Sequence, residues 1–176
     1  VLKNDVGAFF ELIPDTDKLF FITSDTFDSN NANQMIVENT KIVNNLIGTA
    51  NYDIGHLFFK VNSANDSNGL ASTPSVCVDS VKAGGVTGTV VPVGDPFDID
   101  FTAHEMGHQL GLNHDRYTLA NNPKLGAGGS QYDYAIPYGY DNPEGGFYTI
   151  MSYGEECRIK SIKGCQWLGL FSNAQQ

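Results

Sequence analysis

Three of the four histidines in this 176-residue chain fall within eleven positions. They lie in the run His104-Glu105-Met106-Gly107-His108-Gln109-Leu110-Gly111-Leu112-Asn113-His114-Asp115. On a helix, His104 and His108 are i and i+4, so both imidazoles leave the same face one turn apart. That spacing lets two neutral ring nitrogens reach one zinc ion. Glu105 is rotated about 100° from its neighbour His104, because a turn takes 3.6 residues. It can approach a metal-activated water without ligating the ion. A straight helix would carry His114 far along the axis, away from the other two. Gly111 can adopt the left-handed conformation that ends a helix and turns the chain, which returns His114 to the same ion. Three histidine ligands leave a fourth position open, the mark of a catalytic zinc site.

The remainder of the chain limits what this segment can belong to. Its length suits one domain with a sizeable core. The longest apolar runs, Leu19-Phe20-Phe21-Ile22 and Leu57-Phe58-Phe59, are too short to cross a bilayer. Twenty acidic residues against ten basic give a formal charge of −10, which repels phosphate backbones and argues against nucleic acid as partner. The chain opens at Val1 rather than Met, as a processed product does, so removal of a pro-segment is expected. Three cysteines allow at most one internal disulfide, and Cys157 and Cys165, bracketing a short basic loop, are the expected pair. Cys77, in Ser75-Val76-Cys77-Val78, reads as a buried small hydrophobe.

Apolar patterning predicts strands at 6–13 and 18–23, separated by a Pro14-Asp15-Thr16-Asp17 turn. Met35, Ile36, Ile42, Val43, Leu46 and Ile47 recur at helical spacing from Ala32 to Ile47, with Asn31 or Asn33 as the cap and Gly48 as the stop. Further strands are expected at 54–61, 76–78 and 89–93, a Ser/Asn/Gly-rich loop at 62–75, and a helix near 98–110. His56 follows Gly55 in one of these strands and reads as a satisfied core or edge residue, not a ligand. The Asp/Asn-rich stretch Asp25 to Asn33 offers oxygens that could hold calcium, but turn and cap chemistry explains it more simply. Asn65-Asp66-Ser67 fits a glycosylation sequon too short to carry weight. From Asn121 to Gly146 runs a Gly- and Tyr-rich stretch with little periodicity, of the kind a metal or a function ties down.

With its third histidine included, the run resembles the metzincin clan of zinc endopeptidases, whose signature adds a methionine turn. The counterpart here is Thr149-Ile150-Met151-Ser152-Tyr153-Gly154, with Met151 as the apolar floor below the metal. His114-Asp115 resembles the adamalysin (reprolysin) branch. Asn51-Tyr52-Asp53-Ile54-Gly55-His56 and Gly94-Asp95-Pro96-Phe97-Asp98-Ile99-Asp100 resemble bacterial reprolysin-like proteases. His114-Asp115-Arg116-Tyr117, Pro137-Tyr138-Gly139-Tyr140 and Phe171-Ser172-Asn173 resemble secreted bacterial peptidyl-Asp metalloendopeptidases.

The resemblance implies an α+β fold with an α/β-like upper part: a twisted mixed sheet and active-site helix above a small irregular C-terminal subdomain. It implies one catalytic domain over 1–176, with 1–111 above the cleft and 112–176 below. Three departures stand out. Ala174 occupies the place where adamalysins carry the cysteine that pairs with the Cys77 position. Tyr153, two residues after the methionine, is instead like astacins and serralysins, where such a tyrosine can be a fifth zinc ligand. The family fold also begins with a strand and a long helix before the segment resembling Gly7 to Pro14, so those elements are expected to be absent or supplied from elsewhere.

The expected function is zinc-dependent endopeptidase activity, with Glu105 as general base and then acid and Tyr153 as a donor to the oxyanion. A secreted, monomeric, bacterial enzyme is implied, binding polypeptides in extended form along an edge strand near Gly69 to Thr73. Arg158, Lys160 and Lys163 follow the methionine turn and would favour an acidic residue after the cut. The alternatives are a zinc-stabilised binding or adhesion module without turnover, and a calcium-binding surface protein.

Overall fold

A computed structural model describes residues 2–28, 30–61, 68–94, 96–114, 146–148, 150, 151, 165–167 and 171. The chain divides into two compact units, Phe9–Leu112 and Val1–Ala8 with Asn113–Gln176.

In the first unit, α2 (Ala32–Leu46) is the longest helix. Asn31 caps it, its side chain accepting from Gln34 N at 3.1 Å. Gly48, at φ +85°, follows its end, its N–H donating to Asn44 O. Ala32, Met35, Asn39 and Val43 are buried on one face, three or four residues apart. Asn39 is tolerated there because its Nδ2 donates to Ala83 O at 2.7 Å.

Three short strands, β1 (Leu57–Lys60), β2 (Asn68–Ala71) and β3 (Gly85–Thr89), form a mixed sheet in the order β1-β3-β2. β1 runs parallel to β3 and β2 antiparallel to it, which with the helices gives an α+β arrangement. Side chains alternate across the pleat. Val86, Leu57, Phe59 and Leu70 face α2 and pack on Ala32 and Met35. Gly85, Thr87 and Gly69 face the other way, toward α3 (His104–Gln109), which follows a π-helical stretch at Pro96–Ala103. β2 has a neighbour on one side only among the described residues.

Several expectations need correction. Neither 6–13 nor 18–23 forms a strand: α1 (Leu2–Asp5) ends just before the first, and a 3₁₀ turn at Thr16–Leu19 interrupts the second. Only Ile13 and Leu19 of these segments pack against the core of Val43, Ile47, Tyr52 and Ala83. Leu12 and Ile22 are largely exposed, at 83% and 92%. Apolar residues make a strand only where another strand pairs with them, and none among the described residues does. The strand expected at 54–61 begins at Leu57, and the one at 89–93 is displaced to Gly85–Thr89. Residues 76–78 form no strand, because Cys77 takes φ +62° in a turn; it is exposed and not a buried hydrophobe. The expected loop at 62–75 contains β2. In the Asp25 to Asn33 stretch, Asp25 and Asp28 accept from Phe27 N and Asn30 N, as turn residues do.

In the second unit, β4 (Gly146–Tyr148) and β5 (Cys165–Trp167) pair in parallel. Ile150, Met151 and Phe171 are buried. Among the described residues, no helix is long and apolar enough to cross a membrane.

Candidate metal centre

α3 has only six residues, and it buries His104, Glu105, Gly107 and Gln109. The rings of His104 and His108, one turn apart, lie 4.8 Å between centroids and nearly perpendicular. The helix then ends in two linked hydrogen bonds. Leu112 N donates to Gly107 O at 2.9 Å and Gly111 N to His108 O at 2.8 Å, with Gly111 at φ +96°. This is the Schellman pattern, and it needs a residue tolerant of the left-handed region at position 111. The turn has a second consequence. It returns Leu112 O to within 2.8 Å of His108 Nδ1, and a carbonyl can only accept, so Nδ1 carries the proton. A neutral imidazole donating from Nδ1 presents its lone pair at Nε2.

The ligand atoms of His104, His108 and His114 all lie within 4.8 Å of one another. Three imidazoles gathered so closely fit a borderline-soft divalent metal, and zinc with three protein nitrogens and an open position suits them.

Glu105 is only 7% exposed. Burial pushes its carboxyl up to about 8, since the charged form is poorly solvated there, and a neighbouring cation acts in the opposite direction. Its position depends on Gly69 in β2. A Cβ there would lie 2.6 Å from Glu105 Cγ and 2.8 Å from Cδ, and would also overlap Oε1. The strand thus leaves a notch where the carboxylate lies.

A second notch lies at Gly85 in β3, where a Cβ would meet Gln109 Cδ and His56 Nδ1, both at 2.5 Å. His56 bonds Gln109 Oε1 through Nδ1 and Thr87 Oγ1 through Nε2, each at 2.8 Å. It is a satisfied residue, as expected from sequence, but it lies just before β1 and not within a strand. Burial holds its pKa down to about 4, against the smaller opposing effect of the Gln109 hydrogen bond. In the unfolded chain the same group takes its proton near 6.5, so between those values the unfolded state binds more protons. Stability should therefore fall as pH drops from about 6.5 to about 4, by roughly 3 kcal/mol from this residue, and level off below. Thermal unfolding midpoints across that range check this. A His56→Asn variant should lack this contribution, and an identical pH profile in the two proteins would contradict the assignment.

Of the other residues singled out from sequence, Met151 is fully buried. Tyr153, Arg158, Lys160, Lys163, Cys157 and the sequon at Asn65 lie outside the described residues. Sequence reasoning placed Gly69 in an edge strand but missed its approach to Glu105, and it missed Gly85 and Gln109 altogether. The one available signal was that Gln109 falls one turn after Glu105, on the same helical face.

A family model described as metallo-peptidase family M12B, reprolysin-like, matches residues 1–166. No curated protein and no solved structure matches the chain.

Proposed function

Since the chain belongs to the reprolysin-like M12B family of metallopeptidases, we propose that His104, His108 and His114 hold its zinc and that Glu105 moves the proton in peptide-bond hydrolysis. That the chain is a metalloendopeptidase follows from the family. The observation that carries the residue assignment is the gathering of three imidazoles around the helix that buries Glu105. When bound, zinc supplies Lewis-acid polarisation of the scissile carbonyl and makes water a stronger acid. The Glu105 carboxylate accepts a proton from the attacking water and delivers it to the departing amine. His108 is held in one tautomer by Leu112 O, which keeps its ring from turning away.

A polypeptide substrate binds extended. The outer edge of β2 offers main-chain groups for pairing, and Gly69 on that strand brings it against Glu105. Other parts of the reading rest on sequence position. Met151 provides the apolar floor, Tyr153 donates to the oxyanion, and Arg158, Lys160 and Lys163 receive an acidic side chain after the cut. The enzyme is read as a secreted bacterial monomer with a single catalytic domain over 1–176, made of subdomains 1–111 and 112–176.

Digestion of a mixed peptide pool with mapping of the cut sites tests this. The expected result is internal cleavage, abolished by a chelator, restored by zinc, and enriched in Asp or Glu after the cut. Cleavage before bulky apolar residues would remove the role of the three cations. A zinc-loaded chain that cuts nothing would favour a binding module.

A further inference from the structure

Gln109 is the residue after His108 and lies one turn beyond Glu105, and none of its surface reaches solvent. Every polar atom of its side chain is engaged. Nε2 donates to Gly55 O at 3.0 Å and Ser75 Oγ at 3.3 Å, with Lys82 O at 3.4 Å. Oε1 therefore faces His56 and can only accept, so His56 Nδ1 carries the proton and Nε2 accepts from the Thr87 hydroxyl. The main-chain oxygen of Gln109 accepts from Ser75 N and Val76 N, at 2.9 and 3.2 Å. One helical residue is thus tied to the chain before β1, to the 75–76 turn and to the loop before β3.

We propose that His56 and Gln109 form a positioning pair that fixes the rotation of α3 about its axis, and so the directions in which His108 and Glu105 project. This rests on the reading of α3 as the metal-bearing helix. A helix of six residues has little rigidity of its own. Apolar packing would fill the space beside Gly85, but it is non-directional and sets no angle. Hydrogen bonds made from both ends of the Gln109 amide do set one. A side chain tip about 6 Å from a helix axis moves about 1 Å for a rotation of about 10°. Misplacement of that size at a reacting group can cost about 100-fold in rate. The contact that bears on α3 is the one from His56 Nδ1 to Gln109 Oε1, while the Thr87 hydroxyl satisfies the ring's other nitrogen.

The test compares His56→Asn, His56→Gln and Gln109→Met with the unaltered chain. The readouts are cobalt(II) affinity, the visible spectrum of the bound cobalt, kcat and KM on a quenched-fluorescent peptide pool, and the thermal midpoint. The Asn amide nitrogen falls where Nδ1 was and keeps the bond to Gln109, whereas Gln reaches the Nε2 position. His56→Asn should stay close to the unaltered chain in metal affinity and spectrum. His56→Gln and Gln109→Met should bind cobalt about 10–100-fold more weakly, with shifted bands. Their kcat should fall while KM changes little. Equal behaviour of the two His56 variants, or losses that simply follow the thermal midpoint, would overturn the proposal. If Gln109→Met does not fold, the two His56 variants decide it. If the chain binds cobalt but cleaves no peptide, the peptidase reading fails and the cobalt affinities and spectra alone judge the pair. A chain that binds no cobalt at all removes the metal reading and the positioning role with it.

Discussion

Replacing Glu105 with glutamine is expected to lower kcat/KM on a peptide pool by about 10²–10⁴-fold, with bound zinc unchanged. The shape of the side chain is kept, and only its ability to accept a proton as a base is lost. Thermal stability separates this from general damage. Burial already penalises the charged carboxylate and pushes its pKa to about 8, so a neutral amide at the same place should leave the metal-free protein at least as stable. Activity lost together with zinc, or with a large drop in unfolding midpoint, would make Glu105 a ligand or a packing residue.

The second large effect is expected at a residue with no functional group. An alanine at position 69 would put its methyl carbon 2.6 Å from Glu105 Cγ and 2.8 Å from Cδ. β2 cannot readily retreat, because Gly69 is paired with Thr87 in the ladder to β3. The carboxylate ends a flexible side chain and yields instead. Gly69→Ala should therefore cost about 100-fold in kcat, as displacement of a reacting group by about 1 Å does, with modest change in KM. The stability cost should stay near the about 1–3 kcal/mol of ordinary overpacking. Full activity in this variant would mean that the carboxylate takes its working position away from the β2 notch. Measured beside Glu105→Gln, it separates what the group does from where it is held.

What could be read in the sequence was whatever depends on local spacing. His104 and His108 share a helical face because four residues make about one turn, and Gly111 turns the chain because only glycine enters the left-handed region at little cost. α2 was legible for the same reason, its apolar period and Asn31 cap lying within one segment. Strands were poorly legible. Gly85-Val86-Thr87-Gly88-Thr89 has too many glycines to look like one, yet it is the central strand, and two of those glycines make room for Gln109 with His56 and for the Phe59 ring. Conversely, Leu12, Phe20 and Ile22 are apolar enough for strands but meet no partner among the described residues. The bond from His56 to Gln109 joins residues 53 positions apart and leaves no periodic trace. Cys77 was misread because its composition says nothing of a backbone at φ +62°.

The most direct measurement of the central claim is anomalous scattering at the zinc edge from crystals of the zinc-loaded chain. A single strong peak among the imidazole nitrogens of His104, His108 and His114 is predicted, lost in His108→Ala. Rings that diverge with no scatterer between them, or a zinc held by other side chains, would contradict it.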